Sequence, residues 1–155
     1  MVEKKKFFEV ELPLINKKIN LLANSEKDLS GRSVKIDLTR ELRGKSLEAI
    51  FKIKLDDEKL TILPCRLHLL GYFIRRVIRS STDYVEDSFS CESKNALLRI
   101  KPFLITRKKV SRKVRKALRE KSKEIITEEI KNKTYEEFFS ELLSGKFQKR
   151  AELKT

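Results

Sequence analysis

Apolar and polar residues alternate along much of the first two thirds of the chain, and the period then lengthens. In residues 7–12, Phe8, Val10 and Leu12 alternate with Glu9 and Glu11, which predicts a half-buried strand closed by Pro13. Residues 16–31 read as irregular, punctuated by Asn24-Ser25, Asp28, Ser30 and Gly31. Val34, Ile36 and Leu38 alternate with Ser33, Lys35 and Asp37 and predict a second strand. Leu47, Ala49, Phe51, Ile53 and Leu55 alternate with Glu48, Lys52 and Lys54, and Ile50 is the one exception. Asp56-Asp57-Glu58-Lys59 then turns the chain into Leu60–Leu63, a hairpin that Pro64 is expected to end.

At residues 67–79 the spacing becomes helical, through Leu69, Leu70, Phe73, Ile74, Val77 and Ile78. Arg75, Arg76 and Arg79 fall at the far end, where cations suit the negative pole of a helix. Residues 84–91 and 96–105 predict two more strands joined by Glu92–Asn95, with Pro102 marking an edge or a bulge. A basic helix follows, and its apolar stripe drifts after Ser122 because Ile126 and Ile130 do not fall under Val110 and Val114. Thr134 and Glu137 form a capping-box pattern, and Gly145 supplies a stop. The pattern implies an α+β fold: an antiparallel sheet or barrel-like core of five or six strands, one embedded helix and a C-terminal helical region. One domain is expected, with a β-rich part over residues 1–106 and helices packed on it over 107–155.

Charge changes the picture at one place. The 155 residues carry 37 Lys+Arg against 23 Asp+Glu, a net charge of +14. Residues 122–155 hold seven bases and seven acids, so the excess lies upstream. Residues 107–121 hold nine bases and a single acid, Glu120. Wound as a helix from about Val110, this stretch places Val110, Val114, Ala117, Leu118 and Ile125 on one stripe. Arg112, Arg115, Lys116, Arg119 and Lys123 form an opposite row roughly 16 Å long. Arg107, Lys108, Lys109 and Lys113 extend the patch. An ordinary solvated face interleaves acids with bases, because like charges one turn apart repel. A polyanion relieves that repulsion, so the expectation is a docked helix that presents a phosphate-binding face, with Arg75, Arg76 and Arg79 as a second contact. Trp is absent and aromatics are modest, so stacking on single-stranded bases is not the expected main mode.

Other chemistry is thin. His68 is the only histidine, and Cys65, His68 and Cys91 fall short of the four ligands of a structural zinc site. No cofactor is expected, and both cysteines read as buried small apolar residues of a reducing compartment. Gly44-Lys45-Ser46 resembles the end of a phosphate-binding loop, but Thr39 stands where that motif needs glycine and a strand follows where it needs a helix. Asp56, Asp57, Glu58, Asp83, Glu86 and Asp87 could imitate a nuclease's acid cluster, yet exposed turns and strand ends explain them as well. No small-molecule substrate and no catalysis are expected. A membrane-surface role is disfavoured, because the apolar stripe offers no Trp or Phe to the interface.

The order of these segments resembles an archaeal and eukaryotic small-subunit ribosomal protein family, "S one, eukaryotic type", also called the S-three-a family. The carrying residues are Phe7-Phe8-Glu9-Val10-Glu11-Leu12-Pro13, Gly31-Arg32, Ala49-Ile50-Phe51-Lys52-Ile53 and Arg99-Ile100-Lys101-Pro102. The basic helix and then Thr134-Tyr135-Glu136-Glu137-Phe138-Phe139 complete the series, so the likeness spans nearly all of residues 5–147. Leu69-Leu70-Gly71-Tyr72 stands where the family typically has Leu-Thr-Arg-Asp, and Lys94-Asn95 where it has Asp-Gly. The family usually continues past residue 155 into a further basic strand, so one sheet position is expected to be empty or filled differently. The resemblance implies a non-catalytic cytoplasmic protein of the ribosomal platform. Its implied partners are ribosomal RNA near the 3′ end, neighbouring platform proteins, and mRNA and initiation factors at the mRNA exit. A free-standing RNA-binding module outside the ribosome is the alternative reading.

Overall fold

A computed structural model describes residues 5–12, 14, 15, 17–40, 42, 46–56 and 59–154. The turn residues Pro13, Gly44-Lys45 and Asp57-Glu58 of the sequence reading lie outside the described residues. The chain divides into two units, Met1–Leu70 and Gly71–Thr155.

In the first unit, strand β1 (Lys6–Leu12) pairs antiparallel with β2 (Lys17–Ala23). Strands β3 (Ser33–Asp37), β4 (Leu47–Asp56) and β5 (Lys59–Leu69) form a three-stranded antiparallel sheet in that order. β1 packs on β5. The alternation seen in the sequence is what is buried: Val10 and Leu12 from β1, Ala49, Phe51 and Ile53 from β4. Leu29, wholly buried, anchors a short 3-10 turn over Lys27–Leu29. Gly31, with φ of 81°, turns the chain into β3 in a conformation that costs any side-chain-bearing residue. Its N–H donates to Ile53 O at 2.9 Å, which starts the β3–β4 ladder.

Two expectations change here. β2 replaces a stretch read as irregular, and its Ile19, Leu21 and Ala23 point inward opposite Val10, Phe8 and Lys6. β5 does not stop at Pro64. It continues to Leu69, because Pro64 sits at a bulge in which Cys65 is the extra residue between the pairs Phe51↔Pro64 and Ile50↔Arg66. β5 is an edge of its sheet, where a missing N–H is tolerated. Cys65 is exposed, contrary to expectation, whereas Cys91 is buried. On the same sheet Glu48 is buried and bonds Lys35 Nζ at 2.7 Å, and His68 Nδ1 lies 3.7 Å from it.

The second unit opens with helix α1 (Gly71–Val77), shorter than the 67–79 predicted because Leu67–Leu69 pair with Leu47–Ala49 as strand. In chain order it is the one α-helix set among the strands, as expected, although none of its residues is buried. Strands β6 (Tyr84–Glu86) and β7 (Phe89–Glu92) run out; β8 (Leu97–Ile100) and β9 (Phe103–Ile105) return. β7 pairs with β8 and β6 with β9, both antiparallel. The ladder breaks at Pro102, whose carbonyl accepts from Asp87 N at 3.4 Å but which has no N–H to donate in return. Helices α2 (Arg112–Lys131), α3 (Tyr135–Ser144) and α4 (Lys146–Lys154) complete the unit. The class is the expected α+β with a C-terminal helical region. Among the described residues its nine strands form four small antiparallel sheets in place of one sheet of five or six.

The core of this unit joins Phe89 and Cys91 of β7 to Ile126 and Ile130 of α2, Phe138 of α3 and Phe147 of α4. Phe138 and Phe147 meet edge to face at 5.2 Å. α3 begins with the predicted capping box: Glu137 N donates to Thr134 Oγ1 at 3.4 Å, and Thr134 N to Glu137 Oε2 at 3.0 Å. The backbone N–H of Thr134, and then its hydroxyl, hold the Glu137 carboxyl below its ordinary pKa. Gly145 ends α3 with φ of 73°. Asn95, at the β7–β8 tip, accepts the N–H of Tyr135 at 3.1 Å, so it also caps α3.

Candidate nucleic-acid interface

Helix α2 starts later than expected. Ser111 is its N-cap, accepting Val114 N at 3.4 Å, and Arg112 is the first helical residue. The segment before it is tied down by Asp83, whose Oδ2 accepts Val110 N at 2.9 Å. Asp83 N donates to Thr106 Oγ1 at 2.9 Å, and Thr106 N donates back to Asp83 O at 2.9 Å. Asp83, considered as part of an acid cluster, is thus engaged in holding the approach to the helix. Among the described residues no three His, Cys, Asp or Glu side chains gather as a metal site.

The rotation of α2 is also different. The buried positions are Ser122, Ile126 and Ile130, whereas Val114 is 45% exposed and Ala117 is exposed. At 3.6 residues per turn, the buried line lies about 130° around the axis from the stripe of Val110, Val114, Ala117, Leu118 and Ile125. Two fully enclosed isoleucines outweigh a valine and an alanine, because hydrophobic gain follows the area removed from water. The helix therefore docks by its C-terminal half, and that half decides which way the N-terminal half faces.

The row of Arg112, Arg115, Lys116, Arg119 and Lys123 falls on the same side of the axis as the buried line, so it divides along the helix and not around it. Arg119 and Lys123 lie on the docked side and reach along it: Arg119 Nε donates to Glu86 O at 3.3 Å, and Lys123 Nζ stands 5.6 Å from the Phe89 ring centre. Arg115 is half-buried. Arg107, Lys108, Lys109, Arg112, Lys113 and Lys116 are exposed, and Lys116 meets Glu120 at 3.9 Å. The first turn of α2 has no acid, so Arg112 and Lys113 stand at the positive pole of their own helix. An anion there would satisfy both the free N–H groups and the side chains. Arg75 of α1 and Arg79 just beyond it are exposed, and Arg76 of α1 lies over the Phe73 ring at 5.3 Å. Arg79 opens a turn closed by Thr82, the residue before Asp83.

Downstream, the charges are paired. Lys133 Nζ bonds Glu129 at 3.0 Å and Glu141 at 2.7 Å, and Arg150 reaches both carboxylates. Burial works to lower the Lys133 pKa, but hydrogen bonds to Glu141 and Glu129 outweigh it and hold the ammonium above its usual value.

A basic helix half held rigidly beside a strand pair, over a chain with this order of elements, is matched by one family model along its whole length, residues 1–155. The chain belongs to the Ribosomal S3Ae family. As a member of the Ribosomal S3Ae family it is a small-subunit ribosomal protein, a component of a cytoplasmic ribonucleoprotein engaged in translation. Ribosomal RNA and other ribosomal proteins are its partners in kind. A search of curated proteins found no match to the chain. Among the described residues no helix is long and apolar enough to cross a membrane.

Proposed function

We propose that this S3Ae-family chain is a non-catalytic structural protein that binds small-subunit ribosomal RNA through the N-terminal half of α2 and the segment leading into it. The RNA region is the one the family resemblance implies, near the 3′ end on the platform by the mRNA exit, with platform proteins beside it and mRNA and initiation factors within reach. The observation that carries the reading is the exposed set Arg107, Lys108, Lys109, Arg112, Lys113 and Lys116, with no acid in the first turn of the helix. A-form RNA has a deep, narrow major groove, so the contacts are to backbone and shape, not to base edges. Arg75, Arg76 and Arg79 supply a second contact, and Arg115, Arg119 and Lys123 act from the docked side.

The test is RNA affinity across a salt series, using a fragment of small-subunit RNA that spans its 3′ region. Replacing Arg112, Lys113, Arg115 and Lys116 with Gln keeps helix propensity nearly unchanged. The slope of log K against log salt should shrink by about 3 units, at about 0.7–0.9 per phosphate contact. An unchanged slope in a variant with parental circular dichroism refutes the reading. Sedimentation of native extract separates a ribosomal protein from a free-standing module: a chain that never travels with small subunits is the latter.

A further inference from the structure

The exposed face of the β6–β9 pair carries an aromatic platform that the phosphate-binding reading does not use. Tyr84 and Phe103 stack at 5.4 Å with their planes 22° apart. Tyr84 is 47% exposed, and its register partner Ile105 is 38% exposed. The opposite face of the same pair is the one that packs inward, through Val85. An open Tyr on a two-stranded ladder gives up burial that an ordinary core-forming strand would take.

The surroundings narrow the choice of partner. Tyr84↔Ile105 is the last pair of the ladder, and the next pair, Asp83 and Thr106, is locked by reciprocal hydrogen bonds at 2.9 Å. The exposed Arg107 follows at once, so its Cα lies within roughly 7 Å of that of Ile105. Lys108 and Lys109 continue the basic run, and Asp83 fixes its far end through Val110 N. A flat apolar surface thus adjoins a cationic segment whose backbone Asp83 holds at both ends. A hydrophobic protein patch would have no use for this charge arrangement.

We infer that Tyr84, continued by Phe103 and bordered by Ile105 and Arg107, is a stacking site for one unpaired nucleobase of bound RNA. The inference rests on the RNA-binding reading and adds a single-stranded element to it. It does not read sequence, since every base offers a π face.

The test compares a single-stranded oligouridine with an RNA duplex of equal charge, using the full chain. Tyr84→Leu should weaken single-strand binding about tenfold and leave duplex binding and the salt slope unchanged. Tyr84→Phe should keep the affinity, and Phe103→Leu should show a smaller loss in the same direction. The chain has no Trp and three Tyr, so tyrosine emission is readable; single-strand binding should quench it in the parent and much less in Tyr84→Phe. Equal affinity of parent and Tyr84→Leu for the single strand overturns the assignment, as does an equal loss on the duplex. A parent that self-associates through this face, and a Leu variant that is monomeric with unchanged affinity, overturns it in favour of a second copy. A parent that binds neither RNA overturns the RNA-binding reading itself.

Discussion

The two halves of α2 belong to one continuous helix and do opposite things. Residues 112–121 carry six bases and one acid, and none of them is buried. Residues 122–131 carry two bases and three acids and contain all three buried positions of the helix. The second half is anchored by Ile126 and Ile130 in a core shared with β7, α3 and α4. The first half has no comparable anchor. It is held by continuity with the second, by Arg119 on Glu86 and by the Asp83 clamp before it. A surface of closely spaced cations cannot also bury itself, because desolvating unpaired cations costs more than the apolar stems return. Extending a helix out of a core resolves the conflict: the core supplies rigidity and the extension supplies charge.

The largest test of this division substitutes one apolar residue in each half. Ile130 is wholly buried, so Ile130→Ala should cost about 3 kcal/mol, by lost transfer energy plus the cavity left behind. Val114, although as apolar, is 45% exposed, and Val114→Ala should change stability by less than about 0.5 kcal/mol. Urea midpoints of the two variants measure both. Comparable losses would mean that the N-terminal half is docked after all, by the stripe that sequence periodicity picks out. In the same spirit, Val114→Asp should leave the chain folded, whereas Ile130→Asp should unfold the second unit.

A smaller effect concerns the charges that are paired instead of displayed. Lys133→Met removes the ammonium that both Glu129 and Glu141 accept from and should cost about 1–2 kcal/mol, since both carboxylates are largely covered. The folded Lys133 has a raised pKa, so its contribution is fully present below the unfolded value of about 10.5 and is lost as pH rises through the folded value. The parent should therefore lose part of its urea stability in strongly alkaline solution, and Lys133→Met should lack that part. At Glu137 the sign is reversed. Its depressed pKa gives stability that is present above the ordinary carboxyl range and lost as pH falls.

Periodicity exposed the strands of β3 and β4 and the capping box of α3, because each rests on neighbours close in sequence. β2 escaped because Leu22 sits on its outward side, 43% exposed, and hides the alternation of Ile19, Leu21 and Ala23. β5 escaped because its continuation past Pro64 depends on a bulge, which only pairing with β4 reveals. The basic segment was legible as charge, but its orientation was not. Val110, Val114, Ala117 and Leu118 make as good a stripe as Ser122, Ile126 and Ile130. Which of them is buried is decided by Phe89, Phe138 and Phe147, residues from 8 to 41 positions away along the chain from those of the buried line. The drift after Ser122 was the one local signal that the second half follows a different partner. The platform of Tyr84 and Phe103 left no local trace, since its rings lie 19 positions apart along the chain.

The smallest prediction separates local from global stability at the two helix starts. Thr134 caps α3 beside a buried core, through a reciprocal pair of bonds with Glu137. Thr134→Ala should cost about 1 kcal/mol of global stability, visible in the urea midpoint. Ser111 caps α2 by a single bond of 3.4 Å, eleven residues before the first buried position, in a turn crowded with like charge. That turn can open without disturbing Ile126 or Ile130, so the loss in Ser111→Ala should be local. The urea midpoint should stay within about 0.3 kcal/mol of the parent, while amide exchange at Val114 and Arg115 quickens several-fold. RNA bound to the basic half should reverse the quickening, because phosphates at the helix start replace the lost cap and relieve the repulsion. If Ser111→Ala lowers the midpoint as much as Thr134→Ala does, the two halves of α2 unfold as one unit, and the charged half contributes to the core's stability as well as to binding.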